Sequence, residues 1–129
     1  MVSGIISSEI GFYIGDICNA LSDATYRGVW GAAGYEEGIY EAEGLQFAVG
    51  STDHGDGTYT GEDGVEYCVD AANIGIVPIE LLHNDRKEAE GAKLVCVPGE
   101  AEFSFDDGVF WFSLPNDEEY YIDTREGWY

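Results

Sequence analysis

The stretch from Ser51 to Gly64, STDHGDGTYTGEDG, gathers Asp53, His54, Asp56, Glu62 and Asp63 in one glycine-rich run. Two chemistries draw on such a set. Hard cations need several carboxylate and carbonyl oxygens brought together by tight turns. A histidine beside a carboxylate can serve as a general base. The EF-hand spacing is absent, because Gly64 stands at the twelfth position counted from Asp53, where the closing carboxylate belongs. Asp56-Gly57 and Asp63-Gly64 read instead as hairpin turns, Asp and Gly being residues that tolerate positive φ. His54 and His83 are the only histidines, and no nucleophile is marked by its local sequence. The glycine-rich phosphate-loop patterns are also missing. No catalytic residue, metal ligand or cofactor is therefore assigned. An enzyme or cation-binding domain centred on Asp53, His54 and Asp56 stands as the rival reading.

Carboxylates dominate the rest of the chain. Glu36-Glu37 with Glu41 and Glu43, Glu62-Asp63, Asp106-Asp107 with Glu100 and Glu102, and Asp117-Glu118-Glu119 all fall in or beside expected turns. Five Lys and Arg face 26 Asp and Glu, a formal charge of −21 in 129 residues. Between Arg27 and Arg86 there is no Lys or Arg at all. A net charge of magnitude about 2–8 already keeps a small domain in solution. The excess implies that the field is used: it repels nucleic acid and anionic membranes and attracts basic proteins. Salt adaptation is the competing explanation, and Glu exceeding Asp with three cysteines retained fits it less well. The candidate partner-binding residues are Glu36, Glu37, Glu41, Glu43, Glu62, Asp63, Asp106, Asp107, Glu118 and Glu119.

Positioning these groups requires a folded body. Hydrophobic content of 45% and aromatic content of 14% are too high for a disordered acidic tail. The length suits one domain. Cys18, Cys68 and Cys96 are odd in number and lack a CxxC pair, which implies buried thiols in a reducing compartment. No apolar run approaches the roughly 18 residues of a membrane span, and Met1 to Ile10 lacks the basic region of a signal peptide. A cytoplasmic protein is expected.

The eighteen glycines separate short apolar or alternating runs, which is how a strand-and-turn protein is punctuated. Strands are expected near Gly11–Ile17, Gly38–Ala42, Leu45–Val49, Thr58–Thr60, Val65–Val69, Ile74–Val77, Lys93–Val97, Glu102–Phe105, Val109–Phe112 and Tyr120–Ile122. Glu43-Gly44 forms a two-residue hairpin link, and Asp106-Asp107-Gly108 a three-residue one. Ser22-Asp23 caps a short helix from Ala24 to Trp30, ended by Gly31. A brief helix from Ile79 to His83 precedes the polar stretch 84–91, which reads as an exposed loop or as an extension of that helix. The fold class is mainly β: an antiparallel sandwich or partly closed barrel of about eight to ten short strands with one or two short helices. Tyr13, Tyr26, Trp30, Tyr35, Tyr40, Tyr120, Tyr121, Trp128 and Tyr129 exceed what such a core needs, and Tyr and Trp anchor protein interfaces.

One resemblance is carried by sequence pieces. Tyr13-Ile14-Gly15-Asp16 with Cys18, then Gly55-Asp56-Gly57-Thr58-Tyr59, Glu66 to Ala71 and Ile74 to Leu81 resemble a family of small uncharacterised microbial and phage proteins with a GDGxY, EYxVDA, IGIVPxEL pattern. The resemblance covers Gly11 to Leu82 and implies a microbial or mobile-element origin. It transfers no activity and no catalytic residue.

The expected function is that of an acidic inhibitory binding protein. By this reading its carboxylates imitate nucleic-acid phosphates and block a basic, nucleic-acid-binding defence protein such as a CRISPR effector or a restriction enzyme. An immunity-type or housekeeping binder of one basic partner would carry the same features.

Overall fold

A computed structural model describes residues 1–82 and 91–125. Within them eleven strands form three antiparallel sheets. The first sheet has the order β1 (Val2–Ser8), β9 (Gly99–Asp106), β10 (Val109–Ser113), β11 (Glu119–Asp123). The second runs β3 (Gly38–Ala42), β4 (Leu45–Ser51), β7 (Asn73–Pro78), β2 (Phe12–Gly15), β8 (Lys93–Val95). A hairpin of β5 (Gly57–Thr60) and β6 (Glu66–Val69) completes the set. The architecture is a β-rich sandwich, as its strand-and-turn punctuation implies.

Period-two alternation decides which side of each strand is buried. In GEAEFSFD of β9, Ala101, Phe103 and Phe105 turn inward, while Glu100, Glu102 and Asp106 are exposed. With Phe110, Phe112, Tyr120 and Ile122 they pack onto Phe12, Ile14, Ile74 and Ile76 of the second sheet. Fully burying one such apolar side chain contributes about 2 kcal/mol. Gly50 permits this approach: a Cβ there would lie 2.8 Å from the Phe110 ring.

In the second sheet the central strands β4, β7 and β2 are buried on both faces. Its far side carries Tyr13, Phe47, Val49 and Val77, covered by Ile17, Leu21, Trp30 and the turn Ile79–Leu81. Ser22 caps the helical segment by accepting from the Thr25 amide. The segment does not stop at Gly31. It passes through a π-helical turn, Tyr26–Trp30, and a 3-10 turn, Gly31–Ala33, and ends at Gly34 with φ of 82°. The Tyr35 amide then bonds the Trp30 carbonyl at 3.1 Å, and the two rings pack edge to face, a Schellman-type stop with its apolar contact. The πturn carries Tyr26 and Trp30 on one side, which places both against Tyr35.

Several further expectations need correction. Strand β1 was not anticipated from Met1 to Ile10; its VSGIISS alternates only weakly, and pairing with β9 supplies what local pattern lacks. The link between β9 and β10 has two residues, Asp107 and Gly108, because Asp106 pairs with Val109. Their φ values of 51° and 78° match Glu43 and Gly44 at 52° and 79°, so both hairpins use turns left-handed at both positions. Cys68 and Cys96 are exposed and Cys18 half-buried, so the thiols are not core residues. His83, the 84–90 part of the polar stretch, and the anchors Trp128 and Tyr129 lie outside the described residues.

Candidate functional site

The Asp53–Asp56 segment is tied down as a turn. The Thr124 hydroxyl accepts from the Asp53 amide at 2.9 Å, and the Thr52 and Tyr59 hydroxyls both donate to the Gly55 carbonyl. His54 Nε2 donates to the Arg125 carbonyl at 2.9 Å, with the Asp53 carboxylate 3.9 Å away. Among the described residues, no three His, Cys, Asp or Glu side chains converge as a cation site requires.

The acidic candidates separate into three environments. Asp63 turns inward: its side chain is 4% exposed and accepts from Tyr67 Oη at 2.8 Å and Lys93 Nζ at 2.9 Å. Glu118 also pairs with Lys93, whose ammonium lies 4.3 Å from the Tyr120 ring centre. The Tyr67 and Tyr120 hydroxyls are 3.1 Å apart. Burial, reinforced at both by the nearby Asp63 carboxylate, drives the two phenols far above the usual tyrosine range. They are held neutral, and this cluster fastens the β5–β6 hairpin and β8 to β11. Asp63 and Glu118 are thus engaged within the molecule.

Glu36, Glu37, Glu41 and Glu43 are exposed along the β3 side of the second sheet. Glu37 accepts from the Ser51 amide at 2.9 Å, and Glu43 occupies the β3–β4 turn. There Glu43 meets Glu9, Glu80 and Glu100 around an open cleft. Burial would raise the Glu80 carboxyl, but hydrogen bonds from Ser8 Oγ and the Glu9 amide outweigh it and hold the group below the usual range. A second cleft beside Tyr26, Trp30 and Tyr35 has aromatic walls. Its ring centroids lie 5.1 to 5.9 Å apart, so the rings fill the space between themselves. Burial, then the neighbouring Cys18 and Asp16, pushes the Tyr26 hydroxyl up to about 12.

Asp106 and Glu119 occupy the third environment, which is the most extended. The first sheet buries only one face, and its other face is open. Across that face Ser3, Ser104, Trp111 and Tyr121 align as one row over all four strands. Ile5, Glu102, Ser113 and Glu119 form the adjacent row. Asp106, Val109 and Asp123 form a third, and Ser7 with Glu100 a fourth. Ile5 is 52% and Tyr121 44% exposed. Glu100 and Glu102 stand roughly 7 Å apart along their strand, and Glu102 and Glu119 roughly 10 Å apart across two. Arg125 meets this face only at its corner, paired with Asp123 at 3.0 Å and lying 3.9 Å from Asp107 at the hairpin tip. That guanidinium holds the Asp123 carboxyl below its usual range, against a smaller opposing effect of burial. Glu62 approaches from the side, its amide bonding the Tyr121 carbonyl at 2.9 Å.

Trp111 and Ile5 were not among the sequence candidates, and Tyr121 was named only as one aromatic of many. The signal for this face was the alternation of carboxylates with Phe and Ala in β9. The Asp16 carboxylate, 1% exposed, accepts from the amides of Cys18, Asp70 and Ala71 at 2.9, 2.6 and 2.7 Å. It latches the YIGDxC piece onto the end of the EYxVDA piece. No described helix is long and apolar enough to cross a membrane. Comparison with protein-family models, with curated proteins and with solved structures finds no match.

Proposed function

We propose that the protein is a non-enzymatic inhibitory binder that presents the open face of its four-stranded sheet to a basic protein. On this reading it occupies the ground where the partner would otherwise hold nucleic acid. The observation that carries the reading is the composition of that face. Exposed Glu100, Glu102, Asp106 and Glu119 surround Trp111, Tyr121 and Ile5, and of the described lysines and arginines Arg125 stands at its corner, paired with Asp123. Complementary charge steers a basic partner and sets register, while central aromatics supply the anchoring contact. Strand spacing holds the carboxylates in a fixed array, which is what imitation of a phosphate backbone demands. A nucleic-acid-binding defence effector such as a CRISPR effector or restriction enzyme is the partner class this serves, in the cytoplasm of the host cell. The chain's −21 charge makes direct nucleic-acid binding unfavourable.

The test has two stages. The partner is first isolated on immobilised protein, and displacement of a labelled oligonucleotide from it is then measured. Stoichiometric displacement that weakens as salt rises supports the proposal. A partner that binds while keeping its oligonucleotide fits the immunity-type reading instead. Affinity unchanged while the Debye length shrinks from about 10 Å toward 3 Å removes electrostatics as the driver.

A further inference from the structure

Strand β1 lies at the edge of the first sheet, paired to β9 on one side and to no strand among the described residues on the other. It is seven residues long, VSGIISS, in unbroken register from Val2 to Ser8. An exposed edge of this length is a template for another strand, and proteins ordinarily blunt it with charge, proline or a bulge. This strand has none of the three. In a chain where 24% of residues are charged, its seven are all neutral. Its outward side chains are Ser3, Ile5 and Ser7, all exposed, two of them small.

We infer that the β1 edge receives an extended, arginine-bearing segment of the basic partner as a fifth strand. The inference rests on the binding role proposed above and specifies how the partner docks. Added strands gain affinity from main-chain hydrogen bonds and specificity from alternate side chains. A strand beside β1 would project every second side chain over the open face. A long cationic side chain there would cross the low Ser7 position to meet Glu100 directly, and one crossing Ser3, which faces Ser104, would reach Glu102 on the diagonal, past Ile5. A guanidinium matches a carboxylate with two parallel hydrogen bonds, which favours Arg over Lys in this role. A second copy of the chain fits the same edge poorly. Joining two β1 strands would extend one acidic face into another, each copy carrying −21.

The experiment uses the full chain, isotopically labelled, with two synthetic probes. One is an eight-residue peptide alternating Arg and Thr; the other is the same peptide with every backbone amide N-methylated. In the free protein the β1 amides directed away from β9 should exchange rapidly with solvent. The first peptide should slow exchange at alternate β1 positions, and the methylated peptide should bind at least tenfold more weakly. If both peptides bind equally and β1 exchange is unchanged, the edge is not the docking element, although the acidic-face reading survives. If neither peptide binds, both readings fall. Concentration-dependent dimerisation that protects the same amides would identify a second copy as the occupant and overturn the inference.

Discussion

The Asp63 carboxylate lies 2.9 Å from the Lys93 ammonium, with side-chain exposures of 4% and 13%. Lys93 is one of five cations in the chain, and it is spent inside, bridging Asp63 and Glu118. Breaking a buried pair by removing one partner strands the other charge, at a cost of about 3 kcal/mol or more. Lys93→Met should therefore lower stability by about that amount in urea unfolding. Adding Asp63→Asn, which removes the stranded charge and keeps an acceptor for Tyr67, should restore part of the loss. A double mutant no more stable than the single one would show that the pair is not what holds the hairpin.

Asp16 offers a second test of the framework. Its carboxylate accepts from three backbone amides, those of Cys18, Asp70 and Ala71. Bonds to an ionised acceptor contribute about 1.5–3 kcal/mol each when intact. Asp16→Ala should cost at least 3 kcal/mol and expose the Asp70–Ala71 turn, seen as faster amide exchange at those two residues. Exchange unchanged there would mean the turn is held by other contacts.

The phenols report on alkaline stability. Tyr67 and Tyr120 are raised chiefly by burial, and Tyr26 is pushed up to about 12 for the same leading reason. An unfolded tyrosine ionises near pH 10, so above that pH the unfolded chain releases protons that the folded chain retains. The stabilisation from their neutral state is complete below about pH 10 and is lost as pH climbs toward the folded values. Absorbance titration should therefore show these phenols ionising in one cooperative step coincident with loss of circular dichroism. Smooth ionisation of all tyrosines in a protein that stays folded would contradict their burial.

Much of this arrangement was legible in the sequence, for reasons that can be named. The alternation in GEAEFSFD gives strand and buried face at once, and Glu43-Gly44 gives a hairpin, because local chemistry alone sets both. Strand β1 was hidden because Ser and Gly satisfy neither period, and only β9 makes it a strand. Carboxylate roles were legible in number but not in direction. Asp63 and Glu119 look alike in a turn-rich sequence, yet Lys93, thirty residues from Asp63, draws one inward. Asp16 was legible only as one acid among many, and its hydrogen bonds to the Cys18, Asp70 and Ala71 amides place it in the framework.

Charge reversal distinguishes the acidic surfaces from one another. Glu36, Glu37, Glu41 and Glu43 were the leading sequence cluster, and they line the β3 side; Glu100, Glu102 and Glu119 stand on the open face. If the open face binds the partner, Glu100→Lys/Glu102→Lys/Glu119→Lys should weaken binding by well over tenfold, each tenfold being about 1.4 kcal/mol. Reversal of the β3 cluster should then cost little beyond the general loss of negative field, which added salt would mask equally in the parent protein. Both triple and quadruple variants should stay folded, because exposed positions tolerate such changes, and circular dichroism with urea unfolding checks that they do. Trp111→Ala should weaken binding without altering its salt dependence, since it removes an anchor and no charge. If reversing the β3 cluster abolishes binding while the open-face variant binds as the parent does, the docking surface lies on the second sheet. The neutral edge of β1 would then have no role in recognition.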